Sequence, residues 1–197
     1  MSDESLGVRS LRAMAILAIG SVVGVLTAAM AVKYVGANGS VHSGPWSSAI
    51  DAGGAKRGPY TRAAIALGAT LALSREETIY FLASKDDDGD ALRSSCNYSI
   101  KGQDLPARWW SITLYGQDHY LIENPQNRWS YSSADVAHDA DGGFTIAVSR
   151  TPQPGNWLDP AQSSGLVLVT RLYQPQSQAA ANPAAIALPH IIKQACS

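Results

Sequence analysis

Two cysteines in 197 residues are too few for a disulfide-rich scaffold or a four-cysteine zinc site. An excess of charge of one sign is also missing: 15 Lys and Arg face 16 Asp and Glu, leaving a formal net charge of −1. That balance argues against a protein held on nucleic acid by electrostatics. The chain contains no G-x-S-x-G elbow, no S-x-x-K, no P-loop, no G-x-G-x-x-G and no H-E-x-x-H. Those absences lower the weight of an enzyme without removing it, because a catalytic triad is defined by geometry rather than spacing. Apolar residues, at 46%, are not scarce, so one core can be filled and wholesale disorder is excluded.

Residues 13–32 (AMAILAIGSVVGVLTAAMAV) carry no charge. As a helix rising ~1.5 Å per residue, this run spans ~30 Å, the thickness of a bilayer's hydrocarbon core. It is apolar all round, unlike the one-sided helix of a soluble domain. Arg9 and Arg12 precede it, against a single Lys33 after it. The excess of positive charge before the run predicts that residues 1–12 are cytoplasmic, residues 13–33 span the inner membrane, and the rest is periplasmic. Ala29-Met30-Ala31 also fits a signal-peptidase site, with cleavage before Val32, but the apolar run is longer than a signal core of ~7–15 residues. An uncleaved anchor is therefore expected. Gly20, Gly24 and Ala28 fall on one helix face, a spacing that permits close approach of a partner helix.

Residues 34–58 are rich in glycine and serine and are expected to be a linker, with Trp46 as the one residue able to dock. Residues 59–197 are then the extracytoplasmic domain. Pro59 suits a first helical turn, and the alanines after it predict a helix over 59–73. Beyond it come short runs of β-branched and aromatic residues around Tyr80, Tyr98, Trp110, Ile146 and Leu168, separated by Asp-Gly, Lys-Gly, Asn-Pro and Pro-Gly turns. That punctuation predicts a mainly β fold: an antiparallel β-sandwich-like domain with one packing helix, preceded by a single transmembrane helix. Pro175, Pro183 and Pro189 predict an irregular tail.

Candidate chemistry is sparse. Asp86, Asp88 and Asp90 around Gly89 resemble a cation loop, but the glycine and the twelfth position do not fit an EF-hand, and an acidic β-turn accounts for them better. No metal and no cofactor is therefore expected. The four histidines lack the spacing of a zinc motif and are expected at the surface. Cys96 and Cys196 are expected to form a disulfide in an oxidising compartment; one buried and one free thiol is the alternative. Strand alternation sends Trp109 and Trp110 to opposite faces. Trp110, Ile112 and Leu114 make a uniformly apolar side, so Trp110 belongs to the core and Trp109 to a mixed face. Arg171 sits in a hydrophobic strand and needs a partner, for which Asp104, Asp118 and Asp159 are candidates. A ligand pocket would lie beside Arg171, Tyr115, Trp157 and Trp109, where a guanidinium and aromatic edges suit an anionic or sugar-like molecule.

Four segments occur in a recognisable order: Trp110-Ser-Ile-Thr-Leu-Tyr115, Asn124-Pro through Arg128-Trp-Ser-Tyr131, Asn156-Trp-Leu158 and Arg171-Leu-Tyr-Gln-Pro175. Pro59-Tyr-Thr-Arg-Ala63, Tyr80-Phe81 and the Asp86 turn precede them. Together they resemble the bacterial family called domain of unknown function 1214, over roughly residues 46–192. Asp159-Pro160 departs slightly from the family's pattern. The resemblance implies a β-sandwich-like domain, a single N-terminal membrane helix in short members, and a frequent companion, the sister domain numbered 1254. It implies no established activity and no catalytic residue. The expected function is thus a non-catalytic accessory or partner subunit in the cell envelope, bound to the lipid bilayer and to a protein partner but not to nucleic acid. An envelope hydrolase or ligand-modifying enzyme, or a carbohydrate-binding module, are the competing functions.

Overall fold

The computed structural model describes residues 3–38, 40–49, 58–67 and 73–196. The chain divides into two units, Met1–Gly39 with Lys56–Leu71, and Ser40–Ala55 with Ala72–Ser197.

The first unit is helical. α1 (Asp3–Asn38) runs for 36 residues, and within its stretch Gly7–Val35 an 18-residue window has a mean hydropathy of 2.3 with none of it buried. The 29 residues of that stretch span ~44 Å at ~1.5 Å each, longer than the hydrocarbon core, so the helix continues beyond the uncharged run through Arg9 and Arg12 at one end and Lys33 at the other. Leu17, Ile19 and Val25 lie exposed all round it, as lipid contact requires. The hydroxyl of Thr27 donates to the Val23 carbonyl (2.9 Å) and so stays satisfied within the helix. α2 (Pro59–Leu67) falls in this same unit.

The second unit is a sandwich of two sheets. The larger sheet orders its strands β1 (Ser40–Ser43), β2 (Trp46–Ala49), β3 (Thr78–Ala83), β9 (Leu166–Pro175), β5 (Ala107–Gly116) and β6 (Ser130–Ser132). The smaller one orders β10 (His190–Cys196), β4 (Cys96–Gly102), β7 (Phe144–Val148) and β8 (Asn156–Leu158). Among the described strands every pairing is antiparallel except β7 with β8. Period-two alternation builds the core. Phe81, Trp110, Ile112, Leu168 and Leu172 come from one sheet, and Ile100, Phe144, Ile146, Leu158 and Ile191 from the other. Trp110 and Phe144 stack across the interior with centroids 4.9 Å apart.

Two expectations are corrected. Residues 40–49 are not linker but the β1–β2 hairpin, turned at Gly44 with φ of 56°. Burial of Trp46, 1% exposed, outweighs the poor strand propensity of its serines, and its indole N–H donates to Pro189 O (2.7 Å). The helix predicted over 59–73 is present as Pro59–Leu67 in the first unit, and residues 68–72 lie outside the described residues. Within the second unit a small helix, α3 (Ser177–Ala181), packs on the sandwich through Ala179 and Ala180. The tail is ordered: α3, a 3-10 turn (Pro183–Ala185) and β10 lead the chain from the large sheet to the edge of the small one. There Cys196 stands opposite Cys96, and a disulfide joins them.

Candidate functional site

The face of the large sheet turned away from the core carries a cluster that the strand register assembles. Tyr80 of β3, Arg171 of β9 and Ser111 of β5 lie side by side. One row on, Thr78, Tyr173 and Trp109 are opposed; on the other side Leu82, Val169 and Thr113 are. Arg171 donates from Nη1 to Thr113 Oγ1 (3.0 Å) and from Nη2 to the Tyr115 hydroxyl (2.8 Å). Its guanidinium carbon is 5.5 Å from the Tyr115 ring centroid and 6.0 Å from that of Tyr80. Cation–π attraction and two hydrogen bonds therefore hold the half-buried cation in place. The Trp109 and Tyr173 rings adjoin it with centroids 5.4 Å apart.

No carboxylate among the described residues pairs with Arg171. The three acids expected as partners are engaged elsewhere. Asp104 accepts from the Trp110 indole (3.2 Å) and lies 3.3 Å from His138 Nε2. Asp118 accepts from Tyr120 N (3.1 Å), and Asp159 from Ala161 N (2.8 Å). The outer face thus presents donors in excess of acceptors. Burial pushes the Tyr80 hydroxyl above the ordinary tyrosine range, and the charge and hydrogen bond of Tyr173 add to this while Arg171 opposes it. Tyr80 is accordingly a neutral hydroxyl at physiological pH.

Of the expected pocket residues, the structure brings together Arg171, Tyr115 and Trp109, and separates Trp157 from them. Trp157 lies on β8 opposite Ala147, between the buried Asn156 and Leu158, on the outer face of the other sheet. Its indole donates to Ser149 O (2.7 Å) and its N–H to the Tyr131 hydroxyl (2.9 Å), a structural role. Tyr80, Thr113 and Tyr173 join the cluster unforeseen. Thr113 with Tyr115, and Arg171 with Tyr173, share faces at two-residue spacing, but only register places Tyr80 beside them.

The other candidates are structural. In the acidic turn, Asp86 Oδ1 accepts from Asp90 N (2.8 Å) and Gly89 N donates to Asp86 O (3.0 Å). Asp90 pairs with Lys193, and Asp87 Oδ2 lies 2.7 Å from His190 Nδ1. Asp86 and Asp90 both face the Lys193 ammonium, and among the described residues no three His, Cys, Asp or Glu gather as a metal requires. Ser40 Oγ lies 3.1 Å from His42 Nε2 on the edge strand, but the pair is exposed and has no orienting acid among the described residues. An open hollow of about 580 Å³ is lined by Glu123, Asn124, Pro125, Asn127 and Trp129. Asn124 does not serve it, since its amide bonds Ile122 O (3.2 Å), Arg128 O (3.1 Å) and Gln126 N (3.2 Å) within its own loop.

Among solved structures, the chain is similar to the VPA0106 protein from Vibrio parahaemolyticus, with 24% identity and a TM-score of 0.59. The match covers 70% of this chain and 36% of that one, so the chain spans little more than a third of that structure's length. It also matches an uncharacterised protein from Burkholderia cenocepacia at 16% identity and a TM-score of 0.38, over 60% of this chain and 29% of that one. A comparison with curated proteins finds no match. The family profile described as "protein of unknown function (DUF1214)" matches residues 77–177, from the start of β3 to the start of α3 and therefore through the whole Arg171 cluster. Over half its length the chain carries that profile, and it belongs to the DUF1214 family.

Proposed function

We propose that the chain is a single-pass protein of the inner membrane whose sandwich domain works in the periplasm as a non-catalytic accessory or partner subunit of the cell envelope. One combination carries this: an apolar, unburied helix of membrane-spanning length precedes a domain whose two cysteines are bridged. Disulfides persist in oxidising compartments, which favours a domain outside the cytoplasm. Arg9 and Arg12 against Lys33 support the same orientation. A Cβ added at Gly20 or Gly24 meets no atom, so that face of α1 is open to a second helix. A protein carrying the sister domain numbered 1254 is the first partner to test.

Protease added to intact spheroplasts should digest the sandwich domain, and co-expressed sister-domain protein should co-purify in mild detergent at fixed stoichiometry. Complete protection from protease would reverse the orientation. Turnover of a substrate by the isolated protein would replace the accessory role by an enzymatic one.

A further inference from the structure

We propose that the Arg171 cluster on the outer face of the large sheet, bordered by the exposed Trp109, is a binding site for a small carboxylate whose body is a flat apolar ring. The inference stands on the geometry of the sandwich and is independent of where the domain resides.

The first argument is donor count. A guanidinium has five N–H donors, and Arg171 directs one bond to Thr113 and one to Tyr115. Both hydroxyls act there as acceptors, so each keeps its own proton to give. Neither donates elsewhere among the described residues, while the Tyr80 hydroxyl is engaged with Tyr173. The cluster therefore offers N–H and O–H groups from two adjacent strands, β9 and β5, with no acid among them. Asp135, beside the edge strand β6, is occupied by Arg128 (2.9 Å) and by the Ser132 hydroxyl (2.6 Å).

The second argument is pre-organisation. Rings on the two neighbouring strands flank the guanidinium and hydroxyls fix its fork, so little rotamer entropy remains to be lost on binding. A planar fork matches the two oxygens of a carboxylate. The third argument gives the body of the ligand. Trp109 is 38% exposed and leans on Tyr173 one register row from Arg171, an apolar ledge beside the cation. An exposed indole next to a fixed cation suits a ring that stacks while its carboxylate reaches the fork.

The test uses the full chain in neutral detergent micelles, titrated with benzoate and followed by calorimetry and tryptophan fluorescence. Benzoate should bind saturably, with benzyl alcohol and inorganic phosphate each weaker by about tenfold or more. Arg171→Lys and Arg171→Met should each weaken benzoate by about tenfold or more, because lysine lacks the fork. Trp109→Ala should weaken benzoate and leave phosphate unchanged. Tyr115→Phe keeps the ring and removes one donor, and should weaken benzoate several-fold even if the Arg171 variants do not fold. Absence of saturable binding, or unchanged affinity in the Arg171 variants or in Tyr115→Phe, overturns the site. Phosphate binding as tightly as benzoate overturns the ring-bearing ligand.

Discussion

Trp109 and Trp110 are consecutive on β5, yet Trp110 is 1% exposed and stacked on Phe144 while Trp109 is 38% exposed and tilted against Tyr173. One peptide bond thus divides the residue that joins the two sheets from the residue that borders the Arg171 cluster. Trp110→Ala should cost ~3–5 kcal/mol, through lost burial and the cavity left between the sheets. Trp109→Ala should cost under ~1 kcal/mol, as surface substitutions do. Urea unfolding of the two variants checks the contrast. Equal losses would mean that the outer face is as tightly packed as the inner one.

The Cys96–Cys196 disulfide closes a loop with a sequence separation of 100 residues and fastens the edge strand β10 to β4. In the chain-entropy model a loop of that size is worth ~4–5 kcal/mol, and measured losses on removing native bridges run ~2–5. Cys96→Ser with Cys196→Ser should lower the unfolding midpoint accordingly. Amides of β10 should lose their protection from hydrogen exchange before those of β9. Unchanged exchange in β10 would show that its ladder holds without the bridge.

The periodic parts of the fold were legible. In β5 and β9, apolar residues at every second position announce a core face and leave Tyr115, Arg171 and Tyr173 on the other. Long-range pairing was not legible. That β9 lies between β3 and β5 is decided by residues some 60–90 positions apart, so the Arg171–Thr113 bond and the nearness of Tyr80 have no local signature. Trp157 was misplaced for the same reason, because a three-residue strand does not reveal which sheet it joins. In the β1–β2 hairpin and in β10, tertiary burial of Trp46 and Ile191 overrides serine-rich and proline-flanked sequence. The two-residue Gly44-Pro45 connection followed by a tryptophan was the one available sign of the hairpin.

Lys193 faces two acids of different burial, and they should respond differently to its loss. Its hydrogen bond and charge hold the exposed Asp90 carboxyl below the usual range, and the same bond holds Lys193 above its own. The Asp90 contribution is present above the ordinary carboxylate pKa and is lost as pH falls through the lowered folded value. The Lys193 contribution is present at neutral pH and is lost as pH rises through its raised value. Asp90→Asn should therefore change melting temperature slightly at pH 7 and not at all once the pH lies below the lowered value. Lys193→Met should do more, because the buried Asp86 Oδ2 lies 3.7 Å from Nζ and has no hydrogen-bond partner among the described residues. Removing the cation beside that buried oxygen should lower the melting temperature more than Asp90→Asn does. Equal effects of the two variants would show that Asp86 does not depend on Lys193.

Asn156 opens β8 and ties the segment before β7 to the sheet through three hydrogen bonds. Its Oδ1 accepts from Ala137 N (2.8 Å), while its Nδ2 donates to Ala137 O (2.8 Å) and Thr145 O (3.0 Å). The residue is 6% exposed, so water does not replace these bonds readily. Asn156→Ala leaves one N–H and two carbonyls unpaired and should cost ~2–4 kcal/mol. Asn156→Asp preserves the shape but turns an oxygen toward both carbonyls and buries a charge, so at pH 7 it should cost more than alanine. Such a carboxyl has its folded pKa raised, and its protonated form can donate one of the lost bonds. A group raised in this way gains stability as pH falls, so the deficit of Asn156→Asp should shrink near pH ~4 while that of Asn156→Ala stays constant relative to the native chain. Guanidinium unfolding at the two pH values distinguishes them. If Asn156→Asp were no worse than alanine at pH 7, or its deficit did not change with pH, the carbonyls of Ala137 and Thr145 would not be bound to this side chain in solution.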